Sequence, residues 1–372
     1  MDLREQISAI AMRAYASDKR SGDASASECL PRVSVVVPCR NEAAWIDSCL
    51  ASILVNDYPR ESLEVLVVDG MSSDGTADMA AKYAAGHPFI RVLCNPKKTT
   101  PAALNLGIAH ARGAMIVIMG AHAEYPPDYI RSLVRLLQDS GADVVGGSCV
   151  TRPANGSARA RAIAIGLSHP LGVGNSRFRI GSSVPLWVDT VPFGCYRREV
   201  FERIGLFDEE LVRNQDDELN LRVIKRGGRI LLSPDVRSYY YARDSVSKLW
   251  RMYYQYGYFK PLVARKIGAV LTWRQLVPPV FVAAVLGSGL LAPWHWSAAA
   301  AGGVLLLCHQ VAVATCAAVV GWKEGWRVGL ALMIVIPAIH WSYGLGYLRG
   351  TWRFCIRRRS VGKQELRSPI SR

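Results

Sequence analysis

Two short stretches collect carboxylates and small polar residues where a ligand could meet them. One is Pro38-Cys39-Arg40-Asn41-Glu42, and the other is Asp69-Gly70-Met71-Ser72-Ser73-Asp74-Gly75-Thr76. Asp69 can accept hydrogen bonds from a base or a ribose. Gly70 and Ser72 let a ligand approach the backbone, and Asp74 can cap a following helix. Alone, the second stretch reads equally well as a capped turn. A third run, Asn214-Gln215-Asp216-Asp217-Glu218, crowds three acids together. Like charges can raise one pKa and favour proton acceptance. The same run would also suit the N-terminus of a solvated helix, where the dipole favours acids. The chain has neither a Walker sequence nor Gly-x-Gly-x-x-Gly, which removes phosphate-loop and dinucleotide readings.

The elements that must position these residues alternate. Apolar runs at Val33–Val37, Glu64–Asp69, Ile90–Cys94, Met115–Met119 and Asp143–Gly147 predict strands. Between them, Ala44–Leu54, Asp78–Ala85, Ala102–Ala111 and Asp128–Gln138 predict helices. Such alternation predicts an α/β fold with a mostly parallel sheet covered on both faces. Ligands in these sheets bind beyond the carboxyl ends of the strands. Both polar stretches follow strand ends directly, which favours the ligand-site reading over the turn.

Taken in order, VSVVVPCRNE, EVLVVDGMSSDGT and PAALNLGIAHARG resemble the family-2 glycosyltransferases, which have a GT-A nucleotide-sugar-binding fold. The likeness runs from Val33 to about Tyr256 and is greatest to the succinoglycan-type exopolysaccharide enzymes. It implies that Pro38, Arg40, Asn41 and Glu42 line a nucleotide-sugar pocket with Ser72. It further implies that Asp69 contacts the base and that Asp74 lies in the same wall. The family carries Asp-x-Asp or Asp-x-His after the fourth strand, holding a divalent cation on the sugar diphosphate. This chain has Gly120-Ala121-His122, then Glu124, so the first carboxylate is missing. His122 could ligate Mn²⁺ and would serve Mg²⁺ poorly. Lys97 or Lys98 could supply charge neutralisation instead. The segment VPFGCYRREVFERIGLFDEEL resembles the family's acceptor side. In the following run Gln215 replaces the usual Glu, and Asp216 matches the catalytic base of an inverting transfer. Gln255 is followed by Tyr-Gly-Tyr-Phe, so the Gln-x-x-Arg-Trp of processive synthases is absent, which points to addition of one sugar.

Composition divides the chain. Its 372 residues carry a net charge of +15, yet half of them are hydrophobic. A disordered basic protein could not be so apolar, and nothing else in the sequence supports nucleic-acid binding. Gln275–Trp322 contains no charged residue over 48 positions, and Val328–Leu348 adds 21 more. A bilayer core needs about 20 helical residues, so two to three membrane helices are expected over 275–348. The flanks Arg243–Arg274 and Arg349–Arg372 hold fifteen basic residues against two acids, a net +13. Basic flanks belong on the cytoplasmic side. With both flanks inside, the first and shortest apolar segment is expected to be interfacial or re-entrant, leaving two spans. Nine cysteines without a Cys-x-x-Cys pair read as reduced thiols.

The expected organisation is a leader (1–31), a GT-A catalytic domain (32–242), a basic amphipathic interfacial segment (243–274), a hydrophobic membrane region (275–348) and a basic tail (349–372). The expected function is an inverting, non-processive transfer of a hexose from a nucleotide sugar, read as a UDP-sugar. The acceptor would be a polyprenyl-diphosphate-linked saccharide in exopolysaccharide or envelope glycan synthesis. The protein would be multi-pass in the cytoplasmic membrane, facing anionic lipid. Two alternatives stand at this point: a polyprenyl-phosphate sugar synthase, and a non-catalytic scaffold that keeps the fold.

Overall fold

The computed structural model describes residues 30–269 and 272–362. The expected leader lies almost wholly outside these, as do the last ten residues of the basic tail. Along the chain run β1 (Val33–Cys39), α1 (Ile46–Leu54), β2 (Leu63–Asp69), α2 (Thr76–Gly86), β3 (Ile90–Cys94), α3 (Thr100–His110), β4 (Met115–Ile118), β5 (Ala123–Glu124) and α4 (Tyr129–Asp139). There follow β6 (Val144–Arg152), α5 (Ala158–Gly166), α6 (Pro170–Val173), α7 (Arg177–Ile180), β7 (Leu186–Trp187), β8 (Cys195–Arg197), α8 (Arg198–Ile204), α9 (Gln215–Lys225) and β9 (Ile230–Tyr241). The chain continues with α10 (Val246–Ile267), α11 (Val277–Leu291), α12 (Trp296–Glu324) and α13 (Trp326–Gly350).

Two compact units emerge. One contains 30–150, Gly181–Glu209 and Gln215–Tyr240; the other contains Thr151–Ile180, Glu210–Asn214 and the chain from Tyr241 on. The first unit is one mixed sheet in the order β3-β2-β1-β4-β8-β6-β9-β5, with β7 on β9. The four strands β3, β2, β1 and β4 pair in parallel. Their sequences are mostly apolar, and every residue of the inner strand β2 is buried, whereas β3 at the edge is largely half-buried. Beyond β4 the pairing is antiparallel, β4 with β8 and β8 with β6. Helix α3 lies very close to the sheet. A Cβ on Gly107 would come within 2.4 Å of Val36 Cγ1, so only glycine fits there.

The second unit is helical. Residues 151–180 group with it rather than with the sheet, for an evident reason. Helix α5 buries Ala162, Ile163 and Leu167 in one core with Leu332, Val335 and Ile339 of α13. Helices α10 and α13 touch through glycines. Added Cβ atoms on Gly257, Gly346 and Gly350 would lie 2.1–2.2 Å from the carbonyl oxygens of Tyr343, Tyr254 and Tyr258. Small residues permit this kind of backbone approach where apolar surroundings give helices little other reason to associate.

Three stretches are long and apolar enough to cross a membrane: Trp273–Leu291, Trp296–Glu324 and Trp326–Ile356. Helix α12 shows Val304, Leu307, Val311 and Val319 on its surface, with Trp296 and Trp322 exposed at its ends. An apolar surface flanked by tryptophan is the pattern expected of a helix solvated by lipid. Within this unit, His340 Nε2 lies 2.8 Å from the Leu171 carbonyl oxygen and His309 Nε2 lies 3.0 Å from His340 Nδ1. A carbonyl only accepts, so His340 carries its proton on Nε2. Its Nδ1 then accepts, and His309 donates from Nε2.

Candidate active site

The site begins where β1 and β2 end side by side, with Cys39 paired in register to Asp69. Pro38 occupies the penultimate position of β1, beside Val68. Two non-glycine residues then adopt left-handed backbones, Asn41 (φ 54°) and Met71 (φ 55°). The turns that result clasp each other. The Asn41 amide donates to Ser72 Oγ at 2.8 Å, and the Ser73 amide donates to Asn41 Oδ1 at 2.9 Å. Ser72 in turn donates to Asp69 through its amide, at 3.0 Å, and through its hydroxyl.

A second clasp lies beside the first. The Ala43 amide donates to Asp74 Oδ2 at 3.0 Å, the Thr76 amide donates to Asp74 Oδ1 at 3.1 Å, and the Glu42 amide donates to Thr76 Oγ1 at 2.7 Å. Burial alone would raise the Asp74 pKa. The Thr76 hydroxyl and the amides of Ala43 and Thr76 outweigh it and hold the carboxyl below its usual range. Asp69 and Asp74 are therefore builders of the loop pair, with Asp69 almost fully buried.

Arg40 ties in the third strand end. Its side chain crosses Gly70, where a Cβ would sit 3.1 Å from the Arg40 carbons, and Nη1 donates to the Lys98 carbonyl at 3.2 Å. The structure thus brings Arg40, Asn41, Glu42, Asp69, Ser72 and Asp74 together along one edge of the sheet. Lys97, a candidate for charge neutralisation, is instead 2.6 Å from Glu209.

The position after β4 is shaped by a residue the sequence reading passed over. A Cβ on Gly120 would lie 2.6 Å from Phe193 Cε1, and Phe193 itself holds a left-handed backbone (φ 48°). The missing carboxylate is thus a filled volume as well as a substitution. His122 remains, with Nδ1 3.3 Å from Glu42 Oε1 and its ring edge-on to Tyr240 at 5.2 Å. Cys49 approaches the Gly120 carbonyl, and burial, with Glu42 and Glu124 adding, pushes its thiol up to about 12, so it stays neutral. Among the described residues no group of three or more His, Cys, Asp or Glu could hold a metal ion. The donor set is one imidazole backed by a carboxylate. It suits an ion such as Mn²⁺ that accepts one nitrogen and takes its remaining ligands from diphosphate oxygens, and not an all-oxygen Mg²⁺ cage.

The acidic run opens α9, just after Asn214 in a left-handed conformation (φ 60°). Its three acids are not equivalent. Glu218 is buried and forked onto Arg222, at 2.6 and 2.8 Å, and Arg222 also donates to the carbonyls of Ile204 and Leu206. That pairing cancels the charge that Glu218 was expected to add beside Asp216. Asp216 itself is exposed. It lies near Tyr196 of β8, whose pKa is raised mainly by burial and further by the Asp216 charge. Asn105 fixes the approach to this run with a two-way bond to Phe207, both legs 2.9 Å. The i,i+4 spacing of Glu218 and Arg222 was a signal available in the sequence. Nothing local announced Phe193 or Asn105. In the helical unit Arg213 and Asn214 are held by Gln255 Oε1 and the Tyr256 carbonyl, at 3.1 and 2.9 Å. The eight described cysteines are all free thiols, as their spacing predicts.

Residues 34–205 match the family model described as glycosyl transferase family 2. The chain is 32% identical over 272 residues to the succinoglycan biosynthesis protein ExoA of Rhizobium meliloti (strain 1021), covering 73% of this chain and 81% of that protein. It is 27% identical over 333 residues to a Methanococcus voltae protein, dolichyl N-acetyl-alpha-D-glucosaminyl phosphate 3-beta-D-2,3-diacetamido-2,3-dideoxy-beta-D-glucuronosyltransferase, covering 87% of this chain and 99% of the relative. In fold it is similar to the mannosyltransferase PcManGT from Pyrobaculum calidifontis, solved with GDP-Man and Mn²⁺. There the TM-score is 0.52 at 22% identity, over 90% of this chain and 99% of that one.

Proposed function

The chain belongs to glycosyl transferase family 2 and has the GT-A fold with a C-terminal helical region; from that premise we propose that it moves a hexose from a nucleotide sugar to a lipid-linked saccharide, with inversion. The donor in this reading is a UDP-sugar. A lipid-linked acceptor is supported by the dolichyl phosphate substrate for which the Methanococcus voltae relative is named, and membrane residence by the three long apolar stretches. The catalytic unit would face the cytoplasm; Trp273–Leu291, which was expected to be interfacial or re-entrant, is the shortest of the three stretches but is long and apolar enough to span.

The observation that carries the reading is the state of the acidic run. Glu218 is buried on Arg222 and Asp217 is half-buried, while Asp216 is the exposed acid of the run, at the head of α9. In the proposed step the acceptor hydroxyl oxygen bonds to the anomeric carbon as the bond from that carbon to the diphosphate breaks. The hydroxyl proton passes to Asp216, and the nucleoside diphosphate leaves. The clasped β1 and β2 loops, with Asp69 and Arg40, would seat the nucleotide. His122 is the residue that would hold a divalent ion, whose chemistry when bound is to offset charge on the departing diphosphate.

Replacing Asp216 with Asn tests this. Turnover by the purified chain in detergent is expected to fall about 10²- to 10⁴-fold while UDP still binds. Near-normal turnover would remove Asp216 from the chemistry.

A further inference from the structure

Glu42 is a buried carboxylate that the transfer step does not use. Its amide is fixed to Thr76, and its carbonyl accepts from the amides of Trp45 and Ile46, each at 2.8 Å. Its side chain is only 6% exposed, yet it points a carboxylate at a ring nitrogen rather than at solvent. That ring belongs to His122, which is 27% exposed and sets Nδ1 3.3 Å from the buried carboxylate. Tyr240 holds the ring from a second direction, and the neighbouring residue Ala123 is bridged in register to Tyr240. Two independent elements therefore set the rotation of one imidazole.

We propose that Glu42 is a positioning residue that fixes His122 through Nδ1 and presents Nε2 as the single protein ligand of a divalent ion carried by the sugar diphosphate. This rests on the transferase reading above and reassigns Glu42, which the sequence places on the nucleotide wall. The physical reason is general. A ligating imidazole commonly gives its second N–H to a carboxylate, which fixes the tautomer and strengthens the donor. Here the arrangement also explains how the site can lack its first acid. Phe193 occupies the volume beside Gly120, so the ion must be held by one well-oriented nitrogen and the diphosphate. Nitrogen ligation favours Mn²⁺ over Mg²⁺.

The test uses the full chain in detergent and follows free Mn²⁺ by electron paramagnetic resonance as protein is added, with UDP present. The wild type should take up Mn²⁺ only with UDP. Glu42→Gln, which keeps the shape, should weaken Mn²⁺ uptake about 10- to 100-fold while metal-free UDP binding stays unchanged. Glu42→Asp should lose less. His122→Asp should shift preference toward Mg²⁺, and in that background Glu42→Gln should have no further effect on Mn²⁺. Wild-type Mn²⁺ affinity in Glu42→Gln would overturn the positioning role alone. Unchanged Mn²⁺ uptake in His122→Ala would overturn the ligand assignment. A wild type that binds no UDP would overturn the transferase reading and this proposal with it.

Discussion

The sheet unit and the helical unit solve the same problem, holding polar groups in place, by different means. At the ends of β1 and β2 many short hydrogen bonds join Asn41, Ser72, Asp69, Asp74 and Thr76, so position is set by a mesh. Among α10, α12 and α13 position is set by glycines that let backbones meet, and the polar groups are few: His309 on His340, and His340 on the Leu171 carbonyl. A mesh tolerates the loss of one bond because its neighbours remain. A glycine contact does not, because a single methyl has nowhere to go. Polar satisfaction governs the first region and steric fit the second.

That contrast can be broken by experiment. Gly346→Val should destabilise the helical unit by about 1–3 kcal/mol through overpacking against the Tyr254 carbonyl. Gly303→Ala, on the open side of α12, should be neutral or slightly stabilising. Thermal unfolding in detergent distinguishes the two, and equal effects would refute the steric account. In the sheet unit Gly120→Ala should cost about 1–2 kcal/mol against Phe193. Most of that should disappear in a Phe193→Leu background, and additive costs in the double variant would contradict the filled-volume reading.

Asp74 sharpens the mesh side. Its folded-state pKa is depressed, so its contribution is fully present above the unfolded value of about 4 and is lost as pH falls through the lower folded value. Stability measured from pH 5 down to pH 3 should therefore fall less steeply in Asp74→Asn than in the wild type. Parallel slopes would show that Asp74 is not clamped. The smallest effect belongs to Lys97 and Glu209, a half-exposed pair, where Lys97→Met should change stability by less than about 1 kcal/mol.

What was legible in the sequence follows the same division. The parallel strands were readable because each is a short, mostly apolar run, and the observed β1, β2 and β3 start or end within a few residues of their expected places. Of the antiparallel half only β6 was, from its run Asp143–Gly147. Strands β7 and β8 are two and three residues long and owe their form to distant partners. Helix α5 was not expected as an element and falls inside the expected catalytic domain (32–242), and its burial with Val335 and Ile339 groups it with the second unit. Candidate residues after strand ends could be picked out by position. The work they do could not, since Asp74 is tied to the Ala43 amide 31 positions away and Glu42 reaches His122 across 80.

In the proposed transfer Asp216 accepts a proton as the sugar leaves its nucleotide. The direct measurement supplies radiolabelled UDP-sugars and a polyprenyl-linked saccharide extract to the purified chain, and counts label in the lipid phase. Wild-type protein is predicted to transfer label from one donor with release of UDP, and Asp216→Asn to bind UDP but transfer almost none. Equal transfer by both proteins, or none by either across the donor panel, would contradict it.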